Sequence, residues 1–310
     1  MKILSLFDGM SGAQVAVQRA GIDVSEYHAC EIDRYAIQIT QKNFPRTIQH
    51  GSVVGYQPDF QPDILVGGSP CQGFSFAGKR LNFDDFRSKL FFEYVRILKE
   101  SKPTYFLLEN VRMSKTSEQV ITQMLGVEPI EINSGLVSAQ TRNRLYWTNI
   151  PFGVPIDKGI LMRDILEYNP ENYTIMSDRF VTRNANTGCL TDAKKPKARN
   201  LSSLEYVKNG RQGNYIACDS TGKILIAQAI NGENCWRKLT CLECERLQTY
   251  PDNYSEGVSA TQRYKMLGNS FTVDVIAAIF RGIIEPHDST IQHTFDFYGN
   301  ETTRTDTSIQ

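Results

Sequence analysis

Short apolar runs alternate with helical patterns through the first half of the chain. The strand-like runs occupy residues 3–7, 27–30, 64–66 and 105–108. Apolar positions recur at helical spacing in 13–20, 35–43 and 90–99. Strands separated by helices are typical of βαβ units, whose strands pair in parallel. The pattern predicts an α/β fold with a mostly parallel sheet and helices on both faces.

The pattern changes near residue 151. Residues 170–235 are polar and rich in Asn, Thr, Gly and Lys, which indicates a separate small module with irregular loops. Helical spacing returns in 239–249 and 273–284. We therefore predict a main domain made of residues 1–150 and 236–284, which the module 151–235 interrupts. The polar tail, residues 285–310, is predicted to be mobile.

The composition is that of an ordinary globular protein, with 41% hydrophobic and 22% charged residues among 310. Lys and Arg number 34, as do Asp and Glu, and a net charge of zero argues at first against a nucleic-acid partner. The charge is uneven, however. Residues 179–211 hold eight basic and two acidic residues, a net of +6, whereas 285–310 carry one Arg and five acidic residues, a net of −4. A concentrated basic stretch can still bind phosphates.

Features of membrane and secreted proteins are missing from the pattern. No apolar run approaches the length that spans a bilayer, and the N-terminus lacks the pattern of a signal peptide. We expect a cytoplasmic protein with seven reduced cysteines. Cys241 and Cys244 have the spacing of a metal pair, but no second pair accompanies them, so no metal is predicted.

The first glycine turn is a candidate ligand site. Asp8-Gly9-Met10-Ser11-Gly12 follows the first strand and opens a helix, a geometry that binds ligands in open α/β sheets. Glu31 ends the second strand, 22 residues after Gly9, where a carboxylate can accept hydrogen bonds from ribose hydroxyls. An adenosine-type ligand is favoured over a plain turn with a solvated Glu.

Two further candidates end the next strands, at the edge of the sheet where ligands bind. Cys71 follows Ser69-Pro70 and precedes Gln72-Gly73, so its thiol is predicted to be an exposed nucleophile rather than a buried structural Cys. Glu109 ends a buried strand, and a partly buried carboxyl can donate a proton. By itself, Glu109 fits a capping or salt-bridged residue better.

Two polar patterns have equally good structural explanations. Gln140, Arg142 and Arg144 alternate along an extended segment, so they share one face that suits an anion or a base, or simply a solvated edge strand. Gly268 fits a helix C-terminal cap, and Asn269 or Ser270 fits the N-cap of the next helix.

Together and in order, these pieces resemble the motif set of the DNA (cytosine-5-)-methyltransferases. The motifs are Phe7-Asp8-Gly9, Glu31, Pro70-Cys71-Gln72, Glu109-Asn110-Val111, Gln140-x-Arg142-x-Arg144 and Gly268-Asn269-Ser270, with 237–240, 245–248 and 250–254 similar to the family's penultimate motif. The resemblance covers residues 1–150 and about 236–284, at the compact size of bacterial or phage members. It implies a Rossmann-like domain that uses S-adenosylmethionine, and a target-recognition domain in 151–235.

The resemblance also implies the cofactor site, which releases S-adenosylhomocysteine as product. Phe7 would pack on the adenine and Glu31 would hold the ribose hydroxyls. The full implied set is Phe7, Asp8, Gly9, Met10, Ser11, Gly12, Glu31, Ile32, Ser52, Val53, Gly68, Pro70, Leu90, Asn269 and Ser270. Ser52 stands where the family has an Asp that contacts the adenine amine.

The reaction implied is methylation of cytosine C5 in a base flipped out of duplex DNA. Cys71 would attack C6, Glu109 would assist at N3, Arg142 would contact O2, and Arg144 would order Glu109 and its loop. Residues 74–85 form a candidate lid. The predicted DNA contacts are Gln72, Ser75, Lys79, Arg80, Gln140, Lys194, Lys195, Lys197 and Arg199.

Three other functions compete with this interpretation. One branch of the family methylates tRNA, and a homologue can keep the fold as a DNA-binding protein without catalysis. A nicotinamide oxidoreductase is disfavoured by the incomplete glycine pattern. The favoured interpretation implies double-stranded DNA as partner, a cognate restriction endonuclease as a candidate second partner, a monomer, and the cytoplasm of a bacterial or phage-infected cell.

Overall fold

The computed structural model describes residues 1–70, 86–168, 170–171, 190–191, 197–198, 215–218 and 235–285. Its strands are β1 (Lys2–Leu6), β2 (Glu26–Cys30), β3 (Ile48–Gln49), β4 (Ile64–Gly67), β5 (Tyr105–Val111), β6 (Ile130–Asn133), β7 (Asn143–Thr148), β8 (Leu190–Thr191), β9 (Tyr215–Cys218) and β10 (Cys235–Lys238). Its α-helices are α1 (Gly12–Ala20), α2 (Arg34–Asn43), α3 (Phe86–Ser101), α4 (Lys115–Leu125), α5 (Met162–Ile165), α6 (Cys241–Leu247), α7 (Ala260–Asn269) and α8 (Val273–Ile284).

Seven strands form the central sheet, in the order β3-β2-β1-β4-β5-β7-β6. The first five in this order pair in parallel, whereas β7 runs antiparallel to both β5 and β6. From β1 to β3 the chain adds strands on one side of β1, and β4 is then added on the other side of β1. The order of the strands therefore reverses between β1 and β4. A crevice forms at such a reversal, outside the carboxyl ends of the strands, and this is where open α/β sheets bind ligands.

Alternating side chains divide the interior into two cores. Ile3 and Val66 face one side of the sheet, and Leu4 and Leu65 face the other, because successive residues of a strand point to opposite faces. Helices α1 and α8 cover the first side, and α3 and α4 cover the second. Helices on both faces and a mostly parallel sheet confirm the predicted fold class.

The last helix packs against the first and completes the core. Helix α8 buries an apolar stripe that includes Val273, Ile276 and Phe280. Gly282 lies so close to the carbonyl oxygen of Pro151 that a Cβ atom at this position would overlap it. A glycine is therefore required where α8 passes the start of the 151–161 loop.

A buried ion pair holds residue 167 beside residue 237, at the two ends of the segment that contains β8 and β9. Arg237 and Glu243 are fully buried and form a bidentate pair with nitrogen–oxygen distances of 2.7 and 2.9 Å. The same carboxylate accepts the N–H groups of Thr240 at 2.8 Å and Glu167 at 2.9 Å. The Arg237 guanidinium also donates to the Glu167 carbonyl at 3.2 Å. Residues 167 and 237 are thus held at one point.

A second, three-stranded sheet begins in the segment for which we predict a separate module, and its strand β10 continues past residue 235. Its order is β10-β9-β8, with β9 antiparallel to β10 and parallel to β8. The boundaries at residues 151 and 235 stay predictions, and residue 235 falls inside β10. The tail beyond Glu285 lies outside the described residues.

The caps near residue 268 differ from the predicted ones. Gly268 lies inside the last turn of α7, which ends at Asn269 with Ser270 as its C-cap, and Thr272 is the N-cap of α8. The glycine is buried there, so its small size matters more than its freedom to take positive φ values. Gly268 is therefore not the C-cap of a helix, and neither Asn269 nor Ser270 is the N-cap of the next one.

None of the described helices alone has the length and apolar character to cross a bilayer. The bent pair α7 and α8 meets the requirement of length and composition jointly, and α8 is largely buried in the core.

We predict that replacing Gly282 by Ala destabilises the protein by about 1–3 kcal/mol, because the added methyl group must displace the Pro151 carbonyl. The free energy of unfolding from urea titrations measures the effect. Arg281→Ala, at the exposed neighbouring position, is the control and should stay within about 0.5 kcal/mol of the wild type. Equal effects of the two substitutions would contradict the assigned contact.

Candidate active site

The carboxyl edge of the parallel strands surrounds a cavity of about 490 Å³. The turn after β1, Glu31 after β2, residues 68–70 after β4 and Glu109 near the end of β5 all line it. Residues from β7 and from α7 with its following turn close the remaining sides. These are Arg142, Arg144, Lys265, Met266, Gly268, Asn269, Ser270 and Phe271. The cavity has the size of a small-molecule site.

Three backbone N–H groups hold the Glu31 carboxylate at the end of β2. Gly9 donates to one oxygen at 2.7 Å, and Ile32 and Asp33 donate to the other at 2.7 and 2.8 Å. Gly9 has a φ of +58°, which a glycine adopts without strain. The bonds fix the carboxylate to the first turn and leave further lone pairs for hydroxyl donors.

Asp8 supports the same turn from below. Its carboxyl group is buried and accepts hydrogen bonds from the hydroxyl of Ser11 and, at 2.7 Å, from that of Tyr27. Burial raises the pKa of Asp8 to about 6, although the hydrogen bonds from Ser11, Ser5 and Tyr27 oppose the shift. Asp8 therefore carries a proton more readily than an ordinary aspartate.

Two tyrosines from the segment after α6 press on the first turn. The Tyr254 hydroxyl donates to the Met10 carbonyl at 2.6 Å. Tyr250 lies against Gly12, where a Cβ atom would overlap its hydroxyl, and it shares a 2.6 Å hydrogen bond with Ser270. A small residue at position 12 thus lets Tyr250 connect α1 to the turn after α7.

An ion pair and a guanidinium occupy the opposite side of the cavity. Arg144 Nε lies 3.0 Å from Glu109 Oε1, with both side chains about nine-tenths buried, although the geometry is not that of an aligned hydrogen bond. The other oxygen of Glu109 lies beside Gly68, whose missing side chain leaves room for it. Arg142 donates to the Ser270 carbonyl at 2.7 Å.

A second ion pair joins two walls of the cavity. Lys265 Nζ of α7 lies 2.9 Å from Asp33 Oδ2, and Asp33 caps α2 by accepting the Tyr35 N–H at 3.0 Å. Burial alone would raise the pKa of Asp33, but its bonds to Lys265 and to the backbone hold it below the ordinary value. Because the Asp33 N–H also donates to Glu31, the pair connects α7 to that carboxylate.

The structure brings most of the predicted cofactor residues together. Those that line the cavity are Phe7, Asp8, Gly9, Met10, Glu31, Gly68, Pro70, Asn269 and Ser270. Ser11 is buried beneath the turn, Val53 and Leu90 pack in or against the core, and Gly12 begins α1. Ile32 is 77% exposed, and the exposed Ser52 accepts the Val54 N–H at 3.1 Å.

Two predicted DNA contacts have their side-chain donors bonded within the protein. Gln140 is fully buried, and its amide donates to the Leu247 carbonyl at 2.7 Å and to Gln248 at 2.8 Å. The Lys197 ammonium donates to three carbonyl groups. A role of either side chain in binding DNA stays a prediction from the sequence.

The predicted nucleophile Cys71 and the remaining predicted DNA contacts lie outside the described part of the chain. These contacts are Gln72, Ser75, Lys79, Arg80, Lys194, Lys195 and Arg199. The candidate lid, residues 74–85, lies there as well. Cys241 and Cys244 are buried in α6, and no group of three or more candidate metal ligands occurs among the described residues.

Sequence reasoning missed several residues that shape the cavity. Asp33 and Lys265 line it, and Tyr250 and Tyr254 brace it. Asp33 had a detectable signal, since an Asp directly before a helical pattern is typical of an N-cap. The partner of Asp33 lies 232 residues further along the chain, and no local pattern marks such a pair.

The profile of the family described as C-5 cytosine-specific DNA methylase matches residues 1–127 and 136–285. The chain belongs to this family. The type II methyltransferase M.NlaX of Neisseria lactamica is 35% identical over 90% of this chain and 94% of its own length. M1.ScrFI of Lactococcus lactis subsp. cremoris, another type II methyltransferase, is 32% identical over 92% of this chain and 78% of its own length. The protein is a DNA cytosine-5 methyltransferase.

Solved structures of methyltransferases share the fold. The Entamoeba histolytica methyltransferase EhMeth superposes with a TM-score of 0.72 over 92% of this chain and 98% of its own, at 19% identity. The Dnmt2 methyltransferase of S. pombe gives a TM-score of 0.71 over 92% and 99%, at 17% identity. At these identities the likeness concerns the fold alone.

The buried Asp8 predicts a pH dependence of stability in this methyltransferase. In the folded state the pKa is about 6, above the ordinary 3.8, so the folded protein holds a proton that the unfolded chain releases. The free energy of unfolding should therefore fall as pH rises from about 4 to 6. Relative to Asp8→Asn, which does not titrate, we expect the wild type to lose about 2 kcal/mol between pH 4.5 and 7.

Urea titrations across this pH range measure the difference. Tyr27→Phe is the companion variant, because it removes a hydrogen bond that lowers the pKa of Asp8 and should move the inflection to higher pH. Parallel pH profiles of wild type and Asp8→Asn would contradict the raised pKa.

Proposed function

We propose that the enzyme takes the methyl group from S-adenosylmethionine and transfers it to C5 of a cytosine flipped out of duplex DNA at a specific sequence. The cavity fits the nucleoside end of this cofactor. Phe7 supplies an aromatic ring, and the Glu31 carboxylate, fixed by three N–H groups, can accept hydrogen bonds from two ribose hydroxyls. When bound, the cofactor supplies an electrophilic methyl group.

The residues on the opposite side suit the base. Cytosine C5 is a poor nucleophile, so the proposal has the Cys71 thiolate form a bond to C6, which moves an electron pair toward C5 and N3. Glu109, beside Arg144, donates a hydrogen bond or proton at N3, and Arg142 contacts O2. C5 takes the methyl group, with S-adenosylhomocysteine as the leaving group. The C5 proton then passes to solvent, its electron pair re-forms the C5–C6 double bond, and the S–C6 bond breaks with its electrons returning to the thiolate.

One observation carries the proposal. The Glu31 carboxylate on one side of the cavity and the pair Glu109–Arg144 on the other line the same space of about 490 Å³, with Ser69-Pro70, the residues directly before Cys71, at its wall. A cofactor half and a base half that open into one space are what a direct transfer between two bound molecules needs.

The relatives suggest a biological setting. M.NlaX and M1.ScrFI are called type II methyltransferases and come from bacteria. We propose on this basis a cognate restriction endonuclease as a partner system, action in the bacterial cytoplasm, and duplex DNA read by the module 151–235. That the enzyme acts as a monomer stays a prediction from the sequence.

We predict that purified protein transfers labelled methyl groups from S-adenosylmethionine to cytosine C5 of plasmid DNA, and that Cys71→Ala abolishes the transfer, because the C6 bond cannot form. Scintillation counting and bisulfite sequencing measure the product, and the latter also gives the recognition site. Cys241→Ala, at a buried cysteine of α6, is the matched control and should keep activity.

A parallel reaction with total tRNA separates the DNA enzyme from the RNA alternative. Labelling of tRNA in place of DNA would overturn the proposed substrate. Binding of S-adenosylhomocysteine without turnover on either nucleic acid would favour the non-catalytic homologue.

We predict that Lys265→Met weakens binding of S-adenosylhomocysteine about two- to fivefold, because the lost partner of Asp33 loosens the N–H group that holds Glu31. Isothermal titration calorimetry measures the affinity. Lys158→Met is the matched control, since Lys158 pairs with Asp274 at 2.7 Å with similar exposure but outside the cavity lining. Equal losses in both variants would contradict the role of the Lys265–Asp33 pair.

A further inference from the structure

Three main-chain carbonyl groups hold Lys197 beside the segment that carries Arg142 and Arg144. Lys197 Nζ donates to the carbonyl oxygens of Gly135 at 2.8 Å, Ser138 at 3.0 Å and Ile160. An ammonium group has three donors, so the three acceptors satisfy it completely. Such a built set of partners is not what a solvated, phosphate-binding lysine shows.

The next residue extends the same anchor. Ala198 is buried, its N–H donates to the Ala139 carbonyl at 2.6 Å, and its carbonyl accepts the Thr141 N–H at 3.0 Å. These two bonds form a parallel bridge on either side of Gln140. Lys197 and Ala198 thus bond to main-chain groups on residues 135–141 and on Ile160.

The anchored segment leads directly to the cavity. The Arg142 carbonyl accepts the Ser134 N–H at 2.9 Å, its N–H donates to the Asn133 side chain at 3.2 Å, and its guanidinium reaches Ser270 in the cavity wall. Gln140, fixed to α6, holds the same segment from its other side. A displacement of residues 197–198 would therefore strain the backbone that sets Arg142.

We propose that Lys197 is a positioning residue that couples the DNA-reading module to Arg142, and that it does not contact phosphate. The inference rests on the proposed function. Chain connectivity limits the Cα atoms of residues 195 and 199 to within about 7 Å of the Lys197 Cα atom. The proposal is that a duplex bound by this basic stretch is positioned relative to Arg142 through the Lys197 anchor.

Lys197→Met tests the proposal, because it keeps the alkyl chain and removes the three donors. Lys195→Met is the matched control from the same basic stretch. The substrate for kcat and KM is a duplex with the site that bisulfite sequencing identifies for the wild type. A second duplex carries 2-aminopurine in place of the target cytosine and reports flipping only. DNA affinity is measured at several salt concentrations, together with kcat, KM and the binding of S-adenosylhomocysteine.

For Lys197→Met we expect kcat to fall about tenfold and the 2-aminopurine signal to drop, with wild-type salt slope and unchanged affinity for S-adenosylhomocysteine. For Lys195→Met we expect the slope of log K against log salt to shrink by about 0.9, with unchanged affinity for S-adenosylhomocysteine. A slope reduced in Lys197→Met with normal kcat would identify a phosphate contact and overturn the proposal.

Two further outcomes are also decisive. A parallel loss of S-adenosylhomocysteine affinity and of unfolding free energy in Lys197→Met would show a merely structural role. Wild-type kcat and flipping in this variant would refute the coupling while leaving the proposed function intact. Failure of the wild type itself to methylate DNA would instead refute the proposed function.

Discussion

Parallel pairing of β1 with β2 and β4, and of β4 with β5, is the constraint on which the site depends. Strands that run the same way end at the same edge of the sheet. Residues far apart in the chain can therefore meet at this edge even when their strands are not neighbours. Glu31 and Glu109 are 78 residues apart (109 − 31), yet both line one cavity. The parallel direction of the strands therefore determines which side chains can line the cavity.

The C-terminal segment supplies what the sheet edge cannot. An open edge is only a crevice, and α7 with the turn after it adds the missing wall. Buried charge holds α7 to α6. Glu245 is fully buried and accepts the N–H groups of Asn253 at 2.7 Å and Ser255 at 2.9 Å, as well as the Arg263 guanidinium at 2.8 Å. A carboxylate with this many donors is well compensated for the loss of water.

The periodicity of apolar residues was enough to predict a mostly parallel sheet and the positions of many of its strands and helices. Helix 273–284 was predicted to the residue, since its apolar stripe is strong and uninterrupted. The cavity residues at strand ends followed from the same reasoning. The internal bonds of Gln140 and Lys197 could not be predicted, because a long polar side chain looks alike in sequence whether water or buried carbonyls surround it. Leu247, a partner of Gln140, lies 107 residues away, and the partners of Lys197 lie 37 to 62 residues away.

The junction of Glu167 with Arg237 and Glu243 has a consequence for the segment between them. Because both ends of this segment are fixed to each other, closing a longer segment costs about 0.6 kcal/mol for each doubling of its length. The effect of an insertion also depends on where it falls, because Lys197 and Ala198 bond to residues 135–141 and to Ile160. The buried pair thus lets the length of the segment vary without moving its two ends apart.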